Sequence, residues 1–251
     1  MPVLDRDNQD IDVKAIGMVY PTNTWDSNTK ASLVSYSQPS AGMLEQGMET
    51  PQDLIAFCAR VSNPSNQMNK ETNEQLIKYL IKHKHWSPLE MVSATIEIET
   101  TRDIGRQILR HRSFSFQEFS QRYADPTKDM AFMLREARLQ DTKNRQNSIK
   151  IEDSRLSAMW RIQQQKVIQV AKEAYQFAID NGIAKEQARV VLPEGNTMSR
   201  LYMQGSLRSW VHYIELRTAN GTQLEHIEVA QKCAAEIAKI FPLVEGLYEA
   251  S

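Results

Sequence analysis

The fold is decided by residues 91–123, which read MVSATIEIETTRDIGRQILRHRSFSFQEFSQRY. Apolar and polar residues alternate from 91 to 99, which predicts a half-buried strand. Its apolar face consists of Val92, Ala94, Ile96 and Ile98. Helical spacing follows over 101–111, and alternation returns from residue 113. A strand, a short helix and a second extended segment in succession favour a mixed α+β fold.

The rest of the chain adds mainly helices. Thr50-Pro51 begins a helix that should run to about Val61, because Thr suits the cap position and Pro the first helical position. Further elements are predicted as helices at 70–84, 153–180, 206–218 and 222–240, and as strands at 11–20 and 197–205. Without a visible repeat or linker, the sequence predicts a single α+β domain over 1–251. It would contain an antiparallel or mixed sheet packed with several long helices, and 21–50 as an irregular insertion.

The longest predicted helix, 153–180, carries an apolar stripe at helical spacing. The stripe comprises Leu156, Trp160, Val167, Val170, Ala174 and Phe177. Asn181-Gly182 should end this helix.

Composition limits the function classes. The 251 residues are 41% hydrophobic and 24% charged, as in a globular protein, and the net charge of −1 gives no general attraction to nucleic acid or to a membrane. Cys58 and Cys233 cannot form a disulfide framework or a four-thiolate zinc site, and no other cluster has metal-ligand spacing. The N-terminus lacks the apolar segment of a signal peptide and no run is long enough for a membrane span, so we expect a cytoplasmic protein.

Positive charge is concentrated between Arg102 and Arg122, where five arginines face only Asp103 and Glu118, an excess of three. Such a cluster in a neutral protein suits a small anionic ligand. The nine glycines form no Gly-x-Gly-x-x-Gly loop, so arginines would have to bind any phosphate.

The arginines begin as a stripe on one helix face, since Arg102, Arg106 and Arg110 recur every four residues. Taken alone, such a stripe is more often a solvated surface. Phe114 and Phe116 then alternate with serines, whereas Phe119 falls on the opposite parity, which predicts a bend near residue 117. The bend would concentrate polar side chains as a ligand site does, namely Gln117, Glu118, Ser120, Gln121 and Arg122.

Arg110-His111-Arg112, followed after seven residues by Ser120 and then by Arg122-Tyr123, resembles the signature of the flavin-dependent thymidylate synthases. The resemblance implies reductive methylation of dUMP to dTMP. The family uses FAD reduced by NADPH, takes the carbon from 5,10-methylenetetrahydrofolate and releases tetrahydrofolate. It also implies a homotetramer with active sites between subunits.

The resemblance implies roles for individual residues of the signature. Arg110, His111 and Arg112 would contact FAD, and Arg110 the nucleotide as well. Glu118 would lie between flavin and nucleotide. The remaining dUMP ligands would be Gln107, Phe119, Ser120, Gln121 and Arg122.

Other stretches match the family in the same order, from about residue 54 to 240. Flavin contacts would come from Ser62 in 59–62, from His85 and Ser87 in 85–90, and from Ser206, Arg208 and His212. Arg189 would bind the nucleotide phosphate. Arg217, followed by Gln223 and Glu225, would lie against the uracil ring as a catalytic residue. Met91 and Ser206 depart from the residues that many members have, His and Asn.

Each of these residues also has a simpler interpretation. Arg189 and Arg217 could form surface salt bridges, and His85 and His212 could be core histidines, as we predict for His83 and His226. Ser120 could be a catalytic nucleophile, but it lacks a suitably spaced base, so positioning is favoured.

Two other classes of function compete with this interpretation of the arginine cluster. A nucleic-acid-binding module would use the arginines with Phe114, Phe116 and Phe119 as stacking platforms. A structural helical protein would use the arginines for assembly. The neutral net charge argues against the first.

Overall fold

The computed structural model describes residues 3–4, 10–11 and 29–244. In chain order the strands are β1 (Val3–Leu4), β2 (Asp10–Ile11), β3 (Lys30–Tyr36), β4 (Ser93–Thr101), β5 (Ser115–Glu118), β6 (Arg138–Gln140), β7 (Ser148–Lys150) and β8 (Met198–Ser206). The α-helices are α1 (Ala41–Glu45), α2 (Pro51–Ala59), α3 (Asn73–Lys82), α4 (Arg102–Ile108), α5 (Pro126–Asp129), α6 (Ser154–Asp180), α7 (Lys185–Ala188), α8 (Leu207–Thr218) and α9 (Leu224–Ala238). Short 3₁₀ helices cover Pro64–Asn66, Ser87–Met91, Arg189–Val191 and Pro242–Val244.

The chain forms two compact units. The first, called the sheet unit, comprises residues 29–120 and 199–244, and the second, called the α6 unit, includes residues 121–198.

The sheet unit is built on four strands in the order β3-β4-β8-β5, with β3 antiparallel to β4 and β5 antiparallel to β8. The predicted face of β4 is buried as expected, since Ile96 and Ile98 are fully inaccessible. Helix α8 packs on this face, and its Trp210 indole donates a 3.1 Å hydrogen bond to the Ala94 carbonyl. The mixed α+β prediction is confirmed.

The interpretation of 21–50 as irregular was wrong for residues 30–36, which form the edge strand β3. Only Ala31 and Leu33 of that strand turn apolar side chains to the core, so its alternation is too short to stand out among Ser and Tyr. The predicted strand at 11–20 lies outside the described residues except for Ile11, which pairs with Val3. Residues 21–28 lie outside them as well.

The helix predicted after Thr50 is confirmed as α2. The Thr50 hydroxyl accepts from the Asp53 amide at 3.1 Å, and the Asp53 carboxylate accepts from the Thr50 amide at 3.0 Å. This reciprocal capping box is encoded entirely by neighbouring residues, which is why the sequence located it. The other predicted helices and the strand at 197–205 are also present, with ends that differ by up to a few residues.

The α6 unit is organised by the 27-residue helix α6, which begins at the Asp153 cap and is followed by Gly182 in the left-handed conformation, with φ of +73°. The apolar stripe of this helix is largely exposed, for example at Phe177, which is 65% accessible. The side chains that α6 buries lie on another face and include Ile162, Ala171, Tyr175 and Ala178. Helical spacing marks an apolar stripe but does not say what covers it.

Among the described residues, every helix is either too short or too polar to cross a membrane.

Candidate active site

The signature begins where α4 ends. The helix stops at Ile108, and the amides of Arg110 and His111 close its last turn on the carbonyls of Gln107 and Ile108. A turn at 112–113 then leads into β5. This arrangement leaves the guanidinium-bearing residues Arg110 and Arg112 exposed.

His111 turns inward and meets Arg217 from α8. The Arg217 Nε donates a 2.9 Å hydrogen bond to His111 Nε2, so this nitrogen must be the unprotonated acceptor. Burial, followed by the charges of Arg217 and Arg110, lowers the pKa of His111 from 6.5 to about 4. The imidazole is therefore neutral at pH 7, and the pair carries a single positive charge on Arg217.

A chain of hydrogen bonds lies beside this pair. The Gln107 Nε2 donates to Gln223 Oε1 at 2.8 Å, and the Gln223 Nε2 donates to Glu225 Oε2 at 2.9 Å. On its other side, Gln107 Oε1 lies 3.1 Å from His226 Nδ1, and His226 Nε2 lies 3.2 Å from the Tyr213 hydroxyl. The Tyr213 ring also contacts His111, with ring centroids 4.9 Å apart. Gln107, His111 and Arg217, which are predicted to bind ligand, thus share one network.

Glu118 is held by cations and a hydroxyl. Its carboxylate lies 3.5 Å from Arg102 and 3.4 Å from Arg106, and it accepts a 3.1 Å hydrogen bond from Ser199 Oγ. Arg102 and Arg106, two of the three arginines in the predicted stripe, therefore anchor β5 to α4. The interpretation of the stripe as a solvated surface is wrong for Arg102, which is buried.

The bend predicted near Gln117 is not there. Gln117 and Glu118 pair regularly with Tyr202 and Leu201, and the Phe119 amide still bonds the Arg200 carbonyl at 2.8 Å. The chain turns only at 121–123. Phe119 leaves the parity of Phe114 and Phe116 because alternation continues, and strand pairing with β8 keeps the backbone straight.

A second group of predicted flavin contacts meets at the start of α8. Glu90 and Arg208 form a 2.6 Å ion pair, and the rings of Trp86 and His212 stack edge to face with centroids 4.5 Å apart. Hydrogen bonds from Ser206 and then Arg208 lower the pKa of Glu90. Ser206 also caps α8, and Ser87 opens the adjacent 3₁₀ helix. The segments 85–90 and 206–212, which are far apart in sequence, are thereby brought together.

His85 is placed by the end of α3. Its amide bonds the Leu80 carbonyl at 2.8 Å, and the preceding Lys84 adopts a left-handed φ of 59°. His85 and His83 are both exposed and lie near the Tyr79 ring, with centroid distances of 6.1 and 4.2 Å. The core prediction is therefore wrong for His83, whereas His226 is fully buried as predicted.

Ser62 lines a surface cleft of about 520 Å³ between α2 and α3, together with Ala59, Arg60 and Tyr79. The Arg60 guanidinium has a structural role. It donates to the Asn69 carbonyl at 2.5 Å and to Asn73 Oδ1 at 2.6 Å, so it ties the two helices together.

Three predicted nucleotide ligands, Gln121, Arg122 and Arg189, lie in the α6 unit. Arg122 forms a 3.1 Å ion pair with Glu186 of α7, and Arg189 follows at the end of that helix. Gln121 is 3% exposed, and its Nε2 lacks a hydrogen-bond partner within the described residues. Ser120, which ends the first segment of the sheet unit, is half-buried.

Tyr213 and His226 are the residues that sequence reasoning missed. Tyr213 stands four residues before Arg217 on one face of α8, a signal that was available in the sequence. For His226 the sequence offered nothing, because its partner Gln107 is 119 positions away.

The family model described as thymidylate synthase complementing protein matches residues 43–243. The chain belongs to this family. A probable flavin-dependent thymidylate synthase from Paramecium bursaria Chlorella virus 1 is 47% identical over 214 residues, covering 85% of this chain and 96% of the relative. The flavin-dependent thymidylate synthase of a Synechocystis species is 46% identical over 200 residues, covering 80% of this chain and 90% of that relative.

The fold of this member of the thymidylate synthase complementing family is similar to that of solved structures. The UMP/dUMP methylase PolB from Streptomyces cacaoi, bound with 5-Br dUMP, superposes with a TM-score of 0.72 at 28% identity, covering 89% of this chain and 96% of that one. The same enzyme bound with 5-Br UMP gives a TM-score of 0.74 at 27% identity, with 89% and 95% coverage.

Proposed function

We propose that this protein is a flavin-dependent thymidylate synthase that methylates dUMP to dTMP. The observation that carries the proposal is the cluster of Arg217, neutral His111 and Gln107, found in a chain whose relatives are flavin-dependent thymidylate synthases. In the overall reaction C5 of the uracil loses a proton and bonds the methylene of methylenetetrahydrofolate. A hydride completes the methyl group, and tetrahydrofolate leaves.

FAD is the cofactor we propose, reduced by NADPH. When bound, it supplies the hydride. The residues present fit such a group: Arg110 and Arg112 are exposed, and neither pairs with a carboxylate within residues 29–244, so both guanidinium groups are available to phosphate. The segment around Ser87, Arg208 and His212 offers further polar and aromatic contacts.

Arg217 is the residue we assign to charge stabilisation at the uracil. A guanidinium has five N–H donors in a fixed plane, and His111 occupies only the one on Nε. The remaining donors suit the carbonyl edge of a pyrimidine, where negative charge grows as C5 becomes nucleophilic. Because His111 is neutral, it orients Arg217 without adding a competing charge.

Ser120, Gln121, Arg122 and Arg189 are assigned to binding and positioning of the nucleotide. The unpartnered amide nitrogen of Gln121 and the cations at Arg122 and Arg189 support this assignment. Ser120 is not assigned a nucleophilic role, since a serine needs an adjacent base.

A homotetramer with active sites between subunits is the assembly we propose. The exposed stripe on α6 supports it, with Val167, Val170 and Phe177 each more than half exposed. From Val167 to Phe177 the stripe alternates steps of three and four residues, as the seam of paired helices does. If two α6 helices pair antiparallel about a two-fold axis, Lys166 of each subunit would approach Glu173 of the partner subunit. Opposite charges would then meet on both sides of the axis.

The function is tested with purified protein and with cells. The protein should be yellow, should lose its flavin colour when NADPH is added, and should form dTMP from dUMP and methylenetetrahydrofolate. UMP is assayed in parallel in place of dUMP. It should also restore growth of a thymidine-requiring bacterium, whereas Arg217→Ala should not. Colourless protein without dTMP synthesis would refute the function. Full growth with Arg217→Ala would refute only the role of Arg217.

A further inference from the structure

The hydrogen-bond chain beside Arg217 has a direction that its last member decides. A carboxylate only accepts, so the Glu225 contact must be made by the amide nitrogen of Gln223. Gln223 then presents its oxygen to Gln107, whose amide nitrogen becomes the donor at 2.8 Å. Gln107 in turn presents its oxygen to His226. The hydrogen-bond network thereby fixes the orientation of both side-chain amides, Gln223 and Gln107.

The same logic selects one tautomer of His226. Its Nδ1, 3.1 Å from the Gln107 oxygen, must carry the proton. Its Nε2 is then the acceptor for the Tyr213 hydroxyl, 3.2 Å away. The ring is fully buried, and burial lowers the pKa of His226 from 6.5 to about 3, so it is neutral at pH 7. Burial also holds the pKa of Tyr213 well above its usual range, so the phenol remains a donor.

We propose that His226 is a positioning residue for the nucleotide: as the neutral Nδ1–H tautomer, fixed by Tyr213, it holds the Gln107 carboxamide in a single orientation. With both ends of the amide engaged, Gln107 keeps one N–H donor and one carbonyl lone pair for a ligand. A glutamine otherwise loses side-chain entropy on binding, and pre-orientation removes that cost. The inference rests on the proposed function, in which Gln107 binds dUMP.

The neighbours of His226 are consistent with a support role. Tyr213 packs against both histidines, with centroids 4.9 Å from His111 and 5.8 Å from His226. One phenol therefore supports the histidine that orients Arg217 and the histidine that orients Gln107. Within residues 29–244, the hydrogen bonds and ring contacts of His226 are with Gln107, Tyr213 and His111.

Calorimetric titration of flavin-loaded enzyme with dUMP tests the proposal. His226→Phe keeps a ring but removes both nitrogens, and should weaken dUMP binding about tenfold, the usual scale for one lost buried hydrogen bond. His226→Asn places an amide nitrogen near the position of Nδ1 and should recover most of that loss. In kinetics the change should fall on KM for dUMP, with kcat nearly unchanged.

Ile237→Val is the matched control, because Ile237 is equally buried on α9 but lies about three helical turns beyond His226. It should leave dUMP affinity unchanged. Wild-type affinity in His226→Phe, or no recovery in His226→Asn, would overturn the inference. A wild-type enzyme that does not bind dUMP at all would instead overturn the proposed function.

A measurement on the wild-type protein covers the case in which His226→Phe does not fold. Nitrogen NMR of protein labelled at histidine distinguishes the two neutral tautomers, with His226→Asn supplying the assignment. We expect His226 as the Nδ1–H form. The Nε2–H form would reverse the donor at Gln107 and refute the proposal.

Discussion

At the scale of residues, charge and protonation in the candidate site are set by direct contacts. His111 lies between Arg217, Arg110 and the Tyr213 ring, and the buried His226 is close by. None of these groups favours a second positive charge. The neutral imidazole is therefore a consequence of its burial and of Arg217, which α8 places beside it.

This arrangement predicts a dependence of stability on pH. The pKa of His111 is about 4 in the folded protein and near 6.5 when unfolded, so the unfolded state binds more protons between these values. Stability should fall as pH drops from 6.5 towards 4. His111→Gln keeps an acceptor for Arg217 but does not titrate.

Urea unfolding at pH 7 and pH 5 measures the effect. We expect wild type to lose about 1 kcal/mol more than His111→Gln, after discounting for solvent screening of a half-buried ring. His226 titrates in the same direction in both proteins and cancels from the comparison. Equal losses would show that His111 is not held neutral.

At the scale of elements, short connections deliver the ligand-binding segments. The end of α3 is a Schellman motif, in which the amides of Lys84 and His85 bond the carbonyls of Ile81 and Leu80. Lys84 occupies the left-handed position that usually belongs to glycine. The strain is localised one residue before His85, a predicted flavin contact.

Lys84→Gly should therefore stabilise the protein by about 1 kcal/mol, since a side chain is costly in the left-handed region. The matched substitution Lys82→Gly, two residues earlier in the last turn of α3, should destabilise it by a similar amount. Denaturant unfolding at pH 7 measures the stability of both variants. The same sign for both variants would contradict the role of φ at Lys84.

The turn at residues 112–114, which leads into β5, packs against Gly205 of β8. A Cβ built there would lie 2.5 Å from Cδ1 of Phe114, too close for any real contact. Gly205→Ala should therefore displace the aromatic ring and cost about 1–3 kcal/mol.

Phe114→Leu in the same chain should recover part of that loss, which a double-mutant cycle measures by thermal unfolding. Gly42→Ala in α1 is the control, because nothing lies within 4 Å of its added methyl. Additive effects of Gly205→Ala and Phe114→Leu would mean that the two residues do not share one space.

At the scale of the whole molecule, the apolar stripe on α6 stays exposed among the residues that the structure describes. Val170 is 63% exposed and lies near the middle of the helix. Val170→Glu should dissociate the proposed tetramer, because an unpaired carboxylate in an apolar seam is strongly unfavourable.

Light scattering during gel filtration measures the mass, and thymidylate synthesis should fall together with it if active sites lie between subunits. Gln176→Lys adds a charge to the same helix outside the stripe, next to Asp180, and should change neither. A Val170→Glu protein with unaltered mass would place the interface elsewhere.

The sequence by itself determined the elements that neighbouring residues encode. The helix start at Thr50-Pro51, the alternation of β4 and the turn at Gly182 are local patterns, and each was found at its predicted place. The spacing of Arg110-His111-Arg112 and Ser120 was sufficient to identify the family, because a motif is a local pattern too.

Only the tertiary structure decided which side chains meet. It committed Arg102 to Glu118, delivered Arg217 to His111 and joined His226 to Gln107 across 119 positions. It also exposed the α6 stripe that its spacing marks as apolar. The physical reason is the same in each case: periodicity records which face a residue shares with its neighbours, whereas a contact between distant segments depends on how whole elements pack.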